Sequence, residues 1–162
     1  MTERRRSEDA PTTGTAPESD RSHTLHESRG SMRHTHTIQR VEAGAIALLA
    51  VVAVAVLYPA WWWVVLAAFL VFDLSMLGYV RSTAAGAMSY NFIHNYAFPA
   101  LAGVAALVTQ SSSPAVSTTA GVLACVWAFH VGVDRALGYG LKMPDAFTHT
   151  HLGWIGNDRA RS

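Results

Sequence analysis

Six residues of this chain have side chains suited to acid–base or metal chemistry at one site: Asp73, His94, His130, Asp134, Arg135 and His151. Histidine titrates near neutrality, so a positioned imidazole can take or give a proton at physiological pH. Imidazole and carboxylate together also suit a transition metal such as Zn or Fe, with Mn a further candidate. For such an ion the candidate ligands are His94, His130, His151 and Asp73. His149 is a weaker candidate, and His23, His26, His34 and His36 read as incidental. No His-Glu-x-x-His motif is present, nor a repeated His-x-x-x-His, so convergence of separate residues would have to build the site.

The neighbours of these residues extend the set. Asn91, His94 and Asn95 have the i, i+3, i+4 spacing that shares one helix face. On that face Asn91 and Asn95 would orient a substrate or a bound water. Arg135 would meet an anionic headgroup, and Tyr139, with Tyr79 and Tyr96, would offer a phenolic proton. A purely structural reading stands beside this one: Asp73 pairs with Arg135 and ties two helices together. No phosphate-binding loop, Gly-x-Ser-x-Gly elbow or dinucleotide fingerprint is present.

The elements that must carry these residues are apolar helices. Hydrophobic residues make up 51% of the 162 and charged ones 14%, rich in apolar side chains for a soluble domain. Residues 1–40 hold seven of the twelve basic and six of the eleven acidic side chains. That composition predicts a disordered tail over residues 1–38. Apolar runs then predict an all-α, membrane-embedded four-helix bundle over 39–156, with helices at about 41–58, 60–81, 90–109 and 115–141, and a short tail over 157–162. The first run, Val41 to Leu57, spans roughly 26 Å as a helix, enough to cross a bilayer core with its flanks. Trp61-Trp62-Trp63 beside Tyr58 resembles an interfacial aromatic belt. Pro99 frees the carbonyl of Asn95 and predicts a bend there. Cys125 is the only cysteine, which excludes a disulfide framework and a thiolate metal site.

Charge orients the spans. Arg and Lys lie in the amino tail, at Arg81, and from Arg135 onward, whereas the Tyr58-Pro59 and Gln110–Pro114 connections have none. The positive-inside rule then places both termini in the cytoplasm of a multi-pass protein of the cell membrane. The same topology brings the polar residues to the cytoplasmic end of the bundle, where an ionisable group is costly unless paired.

Several stretches carry a resemblance: Trp61-Trp62-Trp63, Asp73 to Tyr79, Asn91 to Tyr96 with Pro99, His130-x-Gly132-x-Asp134 to Lys142, and Thr150-His151-Leu152-Gly153-x-Ile155-Gly156. In that order they resemble a bacterial family of small integral membrane proteins known as domain-of-unknown-function family 4260. The resemblance covers about residues 38 to 156 and implies a four-helix membrane protein without an assigned activity.

Three functions suit these residues. The first is a small membrane enzyme acting on a lipid or apolar substrate through the His/Asp site. The second is a non-catalytic structural or partner-binding protein, with the polar cluster as interhelical hydrogen bonds. The third is a proton-linked transporter, disfavoured by the apolar outer half of the bundle. The partners expected are the lipid bilayer and an apolar small molecule, with homo-oligomerisation open and nucleic acid excluded by the lack of a basic, aromatic-laced patch.

Overall fold

A computed structural model describes residues 18–156. The chain divides into two compact units, Met1–Thr35 and His36–Ser162, and the site lies wholly in the second. The described residues are mainly helical: α1 (Glu18–Leu57), a 3₁₀ turn (Pro59–Trp61), α2 (Val64–Ala67), a 3₁₀ segment (Phe69–Val80), α3 (Thr83–Ile93), α4 (Ala97–Thr109) and α5 (Pro114–Leu137). A two-stranded antiparallel hairpin, β1 (His149–Thr150) and β2 (Gly153–Trp154), follows. Four segments are long and apolar enough to cross a membrane: His34–Leu57, Pro59–Val80, Thr83–Thr109 and Pro114–Leu137. The expected all-α, four-span architecture is therefore present.

The boundaries differ from the sequence reading where local chemistry intervenes. Of the tail expected over 1–38, residues 1–17 lie outside the described residues, as does the expected tail 157–162. From Glu18 the backbone is already helical. Extending an existing helix costs far less than starting one, so an apolar helix can propagate into a polar sequence. The third span begins at Thr83 rather than 90, because Ser82 caps it: its hydroxyl accepts from the Ala85 amide at 3.1 Å. The fourth ends at Leu137 rather than 141. Gly138 adopts a left-handed φ of 97°, and the Tyr139 amide returns to the Asp134 carbonyl at 2.8 Å.

The second span departs most from the expectation of an α-helix. From Phe69 to Val80 it runs as a 3₁₀ helix of 12 residues, long for that geometry, and at about 2.0 Å per residue it covers roughly 24 Å. Its exposure has a period of three: Val71, Leu74, Leu77 and Val80 face outward, and the two residues between each pair are partly covered. The inward rows carry Phe72, Ser75 and Gly78 on one line and Asp73, Met76 and Tyr79 on the next. Gly78 lets this segment press against α3, since a Cβ there would stand 2.8 Å from the Ala85 carbonyl oxygen. The Ser89 hydroxyl crosses the same seam to the Ser75 carbonyl at 2.7 Å.

At the end of the bundle away from the hairpin, Val54, Val65, Val122 and Val126 form the apolar core, joined by Tyr58, Phe72 and Phe129. At the other end the residues after α5 fold back. Lys142 exchanges two hydrogen bonds with Asn91: its amide donates to Oδ1 at 2.7 Å and its carbonyl accepts from Nδ2 at 2.9 Å. Asn91 thereby imitates a strand neighbour and pins the hairpin to α3.

Candidate metal centre

The third span is interrupted where its chemistry begins. Residues 94–96 leave the helix between α3 and α4, as Pro99 predicts. The carbonyls of residues 91–95 thereby lose their i+4 amide partners, and side chains replace the first four. Asn95 Nδ2 donates to the carbonyls of Asn91 (3.0 Å) and Phe92 (2.6 Å). Trp127 Nε1 donates to Ile93 O at 2.8 Å, and Arg135 Nη2 makes a long bond of 3.4 Å to His94 O. Asn95 Oδ1 accepts from the Ala97 amide at 2.9 Å, which caps the start of α4. In a membrane, non-helical backbone persists only where protein groups satisfy it.

The break turns the His94 ring inward against His130 of α5. Their Nε2 atoms lie 2.9 Å apart. Two carboxylates approach the same point: Asp73 Oδ1 lies 3.6 Å from both Nε2 atoms. Asp134 Oδ2 lies 3.5 Å from His94 Nε2 and 3.8 Å from His130 Nε2. One ligand atom from each of the four residues falls within 4.8 Å of all the others. Both imidazoles are buried; the Asp134 side chain is 15% exposed and that of Asp73 34%.

The surroundings fix this geometry. His94 Nδ1 lies 3.1 Å from the Tyr90 carbonyl and 3.4 Å from Ser75 Oγ. A proton on Nδ1, donated to that carbonyl, leaves the Nε2 lone pair facing the cluster, the arrangement that orients metal-bound histidines. The Tyr90 ring stacks on His94 with centroids 3.7 Å apart, and its hydroxyl donates to Asp134 Oδ2 at 2.9 Å. Phe69 and Phe72 pack on His130 at 4.8 and 5.2 Å, and Phe72 stacks on Trp127. The walls are aromatic and the centre is polar.

Of the sequence candidates, Asp73, His94, His130 and Asp134 meet, and the others stand elsewhere. Arg135 follows Asp134 by about 100° around the helix, which turns it away from Asp73. The expected Asp73–Arg135 pair does not form. Arg135 lies over the Tyr96 ring at 4.7 Å instead. His151 also stands outside the cluster, its Nδ1 accepting from the Leu141 amide at 2.8 Å. Asn91 holds Lys142, and Asn95 caps the helix break. Because the helix ends at Ile93, the shared face expected of Asn91, His94 and Asn95 is lost. Tyr139 is exposed, with its ring 5.9 Å from Lys142 Nζ. His149 stacks on Trp154 and bonds Asp145 at 2.8 Å.

The phenol at the cluster is thus Tyr90, rather than Tyr79, Tyr96 or Tyr139. Its position four residues before His94 signals a shared helix face. Ser75 was also missed, and only a period of three in the second span would have placed it. Lys142 is the third omission. It is buried, with its ammonium donating to Phe147 O at 3.0 Å among the rings of Tyr90, Tyr139 and Phe147. Burial lowers its pKa, partly opposed by the attraction of Asp134.

Fold and cluster define a class: a helical protein with four membrane-length apolar spans and a buried two-histidine, two-aspartate cluster. The family model described as Domain of unknown function (DUF4260) matches residues 36–155, and the chain belongs to that family. No curated protein and no solved structure matches the chain.

Proposed function

We propose that this is a membrane metalloprotein holding one divalent transition metal between Asp73, His94, His130 and Asp134, and that it is a small membrane enzyme for a lipid or other apolar substrate. The convergence of four ligand atoms from three spans carries this reading. Tetrahedral ligands bound at about 2.0–2.2 Å stand roughly 3.3–3.6 Å apart. Five of the six separations, 2.9 to 3.8 Å, bracket that range before any ion has drawn the ligands in, and all four atoms lie within 4.8 Å of one another. Two carboxylates and two neutral imidazoles balance a dication, removing the cost of leaving two anions inside apolar walls.

The partial exposure of Asp73 favours a reactive site over a sealed structural one, because catalytic sites keep an open position. An apolar substrate would approach past Asp73 from between the spans. The metal would polarise a carbonyl or phosphoryl oxygen or lower the pKa of a bound water. Asp73 would serve as the exchangeable ligand or base, and Tyr90 would steady Asp134. The positive-inside rule supports a site near the cytoplasmic face, with both termini in the cytoplasm.

The 2.9 Å contact between the imidazoles favours a second reading, in which one ring protonated at Nε2 bonds the other and merely locks α3 to α5. Thermal unfolding of the detergent-purified protein separates the two. A metal-binding site predicts that chelation lowers Tm and that added Zn, Mn or Fe(II) restores it. At a hundredfold excess over Kd the stabilisation is about 2.7 kcal/mol. The His94→Ala variant should show no such response. An unchanged Tm through chelation and metal addition in the wild type would leave only the interhelical lock.

A further inference from the structure

A polar cavity lies beside the helix break, and none of the four cluster residues lines it. It measures about 280 Å³ and is lined by Gln39, Glu42 and Ile46 of α1, by Tyr96 and Arg135, and by His151 with Leu152 of the hairpin. Two of its donors are unsatisfied among the described residues: Arg135 Nε and the Tyr96 hydroxyl are both buried without a hydrogen-bond partner. The guanidinium lies over the Tyr96 ring, and its only hydrogen bond among the described residues is the long one to His94 O. No carboxylate stands within 4 Å of it among the described residues. Glu42 lines the cavity but is exposed at its rim. A half-buried cation whose buried Nε–H is unpaired, beside an unpaired hydroxyl, calls for an acceptor with several oxygens.

The depth of the cavity narrows the choice. Gln39 and Glu42 flank the start of the apolar stretch of α1, and Arg135 lies two residues before the end of α5. The cavity therefore sits at the boundary between apolar spans and polar chain, where lipid headgroups lie. Its volume lies just below the range of whole-ligand pockets, roughly 300–1,000 Å³, which suits a headgroup with acyl chains outside. Arginine is suited to phosphate, which it meets with two N–H groups at once.

We propose that this cavity binds the phosphate group of a membrane phospholipid, with Arg135 and Tyr96 as its donors and Glu42 and Gln39 at its rim. The site deepens the reading above by supplying the headgroup half of an apolar substrate. It rests on that reading only for the claim that the bound lipid is the substrate. Through the His94 carbonyl, the same Arg135 touches the residue whose ring enters the proposed metal centre.

Native mass spectrometry of the delipidated protein with added phosphatidylglycerol, and separately with inorganic phosphate, tests this. Wild type should bind the phospholipid. Arg135→Gln should weaken binding at least tenfold and Tyr96→Phe several-fold, with Arg135→Lys intermediate. His130→Ala should retain the lipid, which separates failure of this site from failure of the metal reading. Equal lipid binding by wild type and by a folded Arg135→Gln protein overturns the proposal. So does inorganic phosphate binding as tightly as the phospholipid, which would make the cavity a free-phosphate site. Circular dichroism and size-exclusion chromatography establish that each variant is folded; if Arg135→Gln is not, the Tyr96→Phe and Arg135→Lys comparisons decide.

Discussion

Asn95 shows how much one side chain settles at the residue scale. Its amide replaces two lost backbone donors and its carbonyl oxygen replaces a lost acceptor. With it in place the third span can stop at Ile93, turn the His94 ring toward His130, and resume at Ala97. Asn95→Ala should therefore lower stability by about 1–3 kcal/mol, the cost of leaving a buried polar group unpaired, measured by thermal unfolding in detergent. Asn95→Asp should cost nearly as much, because a carboxylate cannot donate to the two carbonyls. The cluster behind it was partly legible from residue type alone: ionisable side chains inside apolar runs are rare and need partners. The choice among candidates was not legible. Sequence spacing places Asn91, His94 and Asn95 on one face only if the helix continues, and Pro99 ends that assumption.

At the scale of the elements, the second span carries the clearest test. Val71, Leu74, Leu77 and Val80 alternate with partly covered pairs at a period of three, the repeat of a 3₁₀ helix. Any long apolar run reads as α-helix by length and composition, so this register was missed although the aliphatic residues display it. Phe72→Ala, at the packed face against His130 and Trp127, should cost about 3–5 kcal/mol. Leu74→Ala, on the outward row, should cost under 1 kcal/mol, and comparable losses for both would contradict the three-residue register.

The hairpin offers a pH test. Burial lowers the pKa of His151, helped by the charge of Arg135 and more weakly by His36. Glu42 lines the same cavity from α1. A histidine whose folded pKa lies below its unfolded value of about 6.5 adds stability that is complete above that value and lost as pH falls below it. Protonation also removes the Nδ1 lone pair that accepts from the Leu141 amide. Hydrogen-exchange protection at Leu141, corrected for the intrinsic rate, should fall as the pH drops below about 6.5, and a His151→Gln variant should lose this dependence.

Over the whole molecule the arrangement is asymmetric. The end with Tyr58, Trp61–Trp63 and the 110–114 turn has no basic residue, while Arg81, Arg135, Lys142, the cluster and the hairpin share the other end. The four spans were legible from apolar length, and the side on which polar groups gather from basic residues in the connections. The return of the chain after α5 was not, because Asn91 holds Lys142 across 51 residues. Labelling with a membrane-impermeant maleimide in a Cys125→Ser background tests the orientation. Ser112→Cys should react in intact cells and Asp145→Cys only after permeabilisation; the reverse pattern would overturn the proposed topology.

The most direct test of the central claim is the metal content of protein purified in mild detergent without chelator, wild type beside His130→Ala and Asp134→Ala. Close to one transition-metal ion per chain is expected in the wild type, with loss of it in both variants while the fold is kept. A wild type that carries no metal, and takes none up when Zn, Mn or Fe(II) is offered, would contradict it.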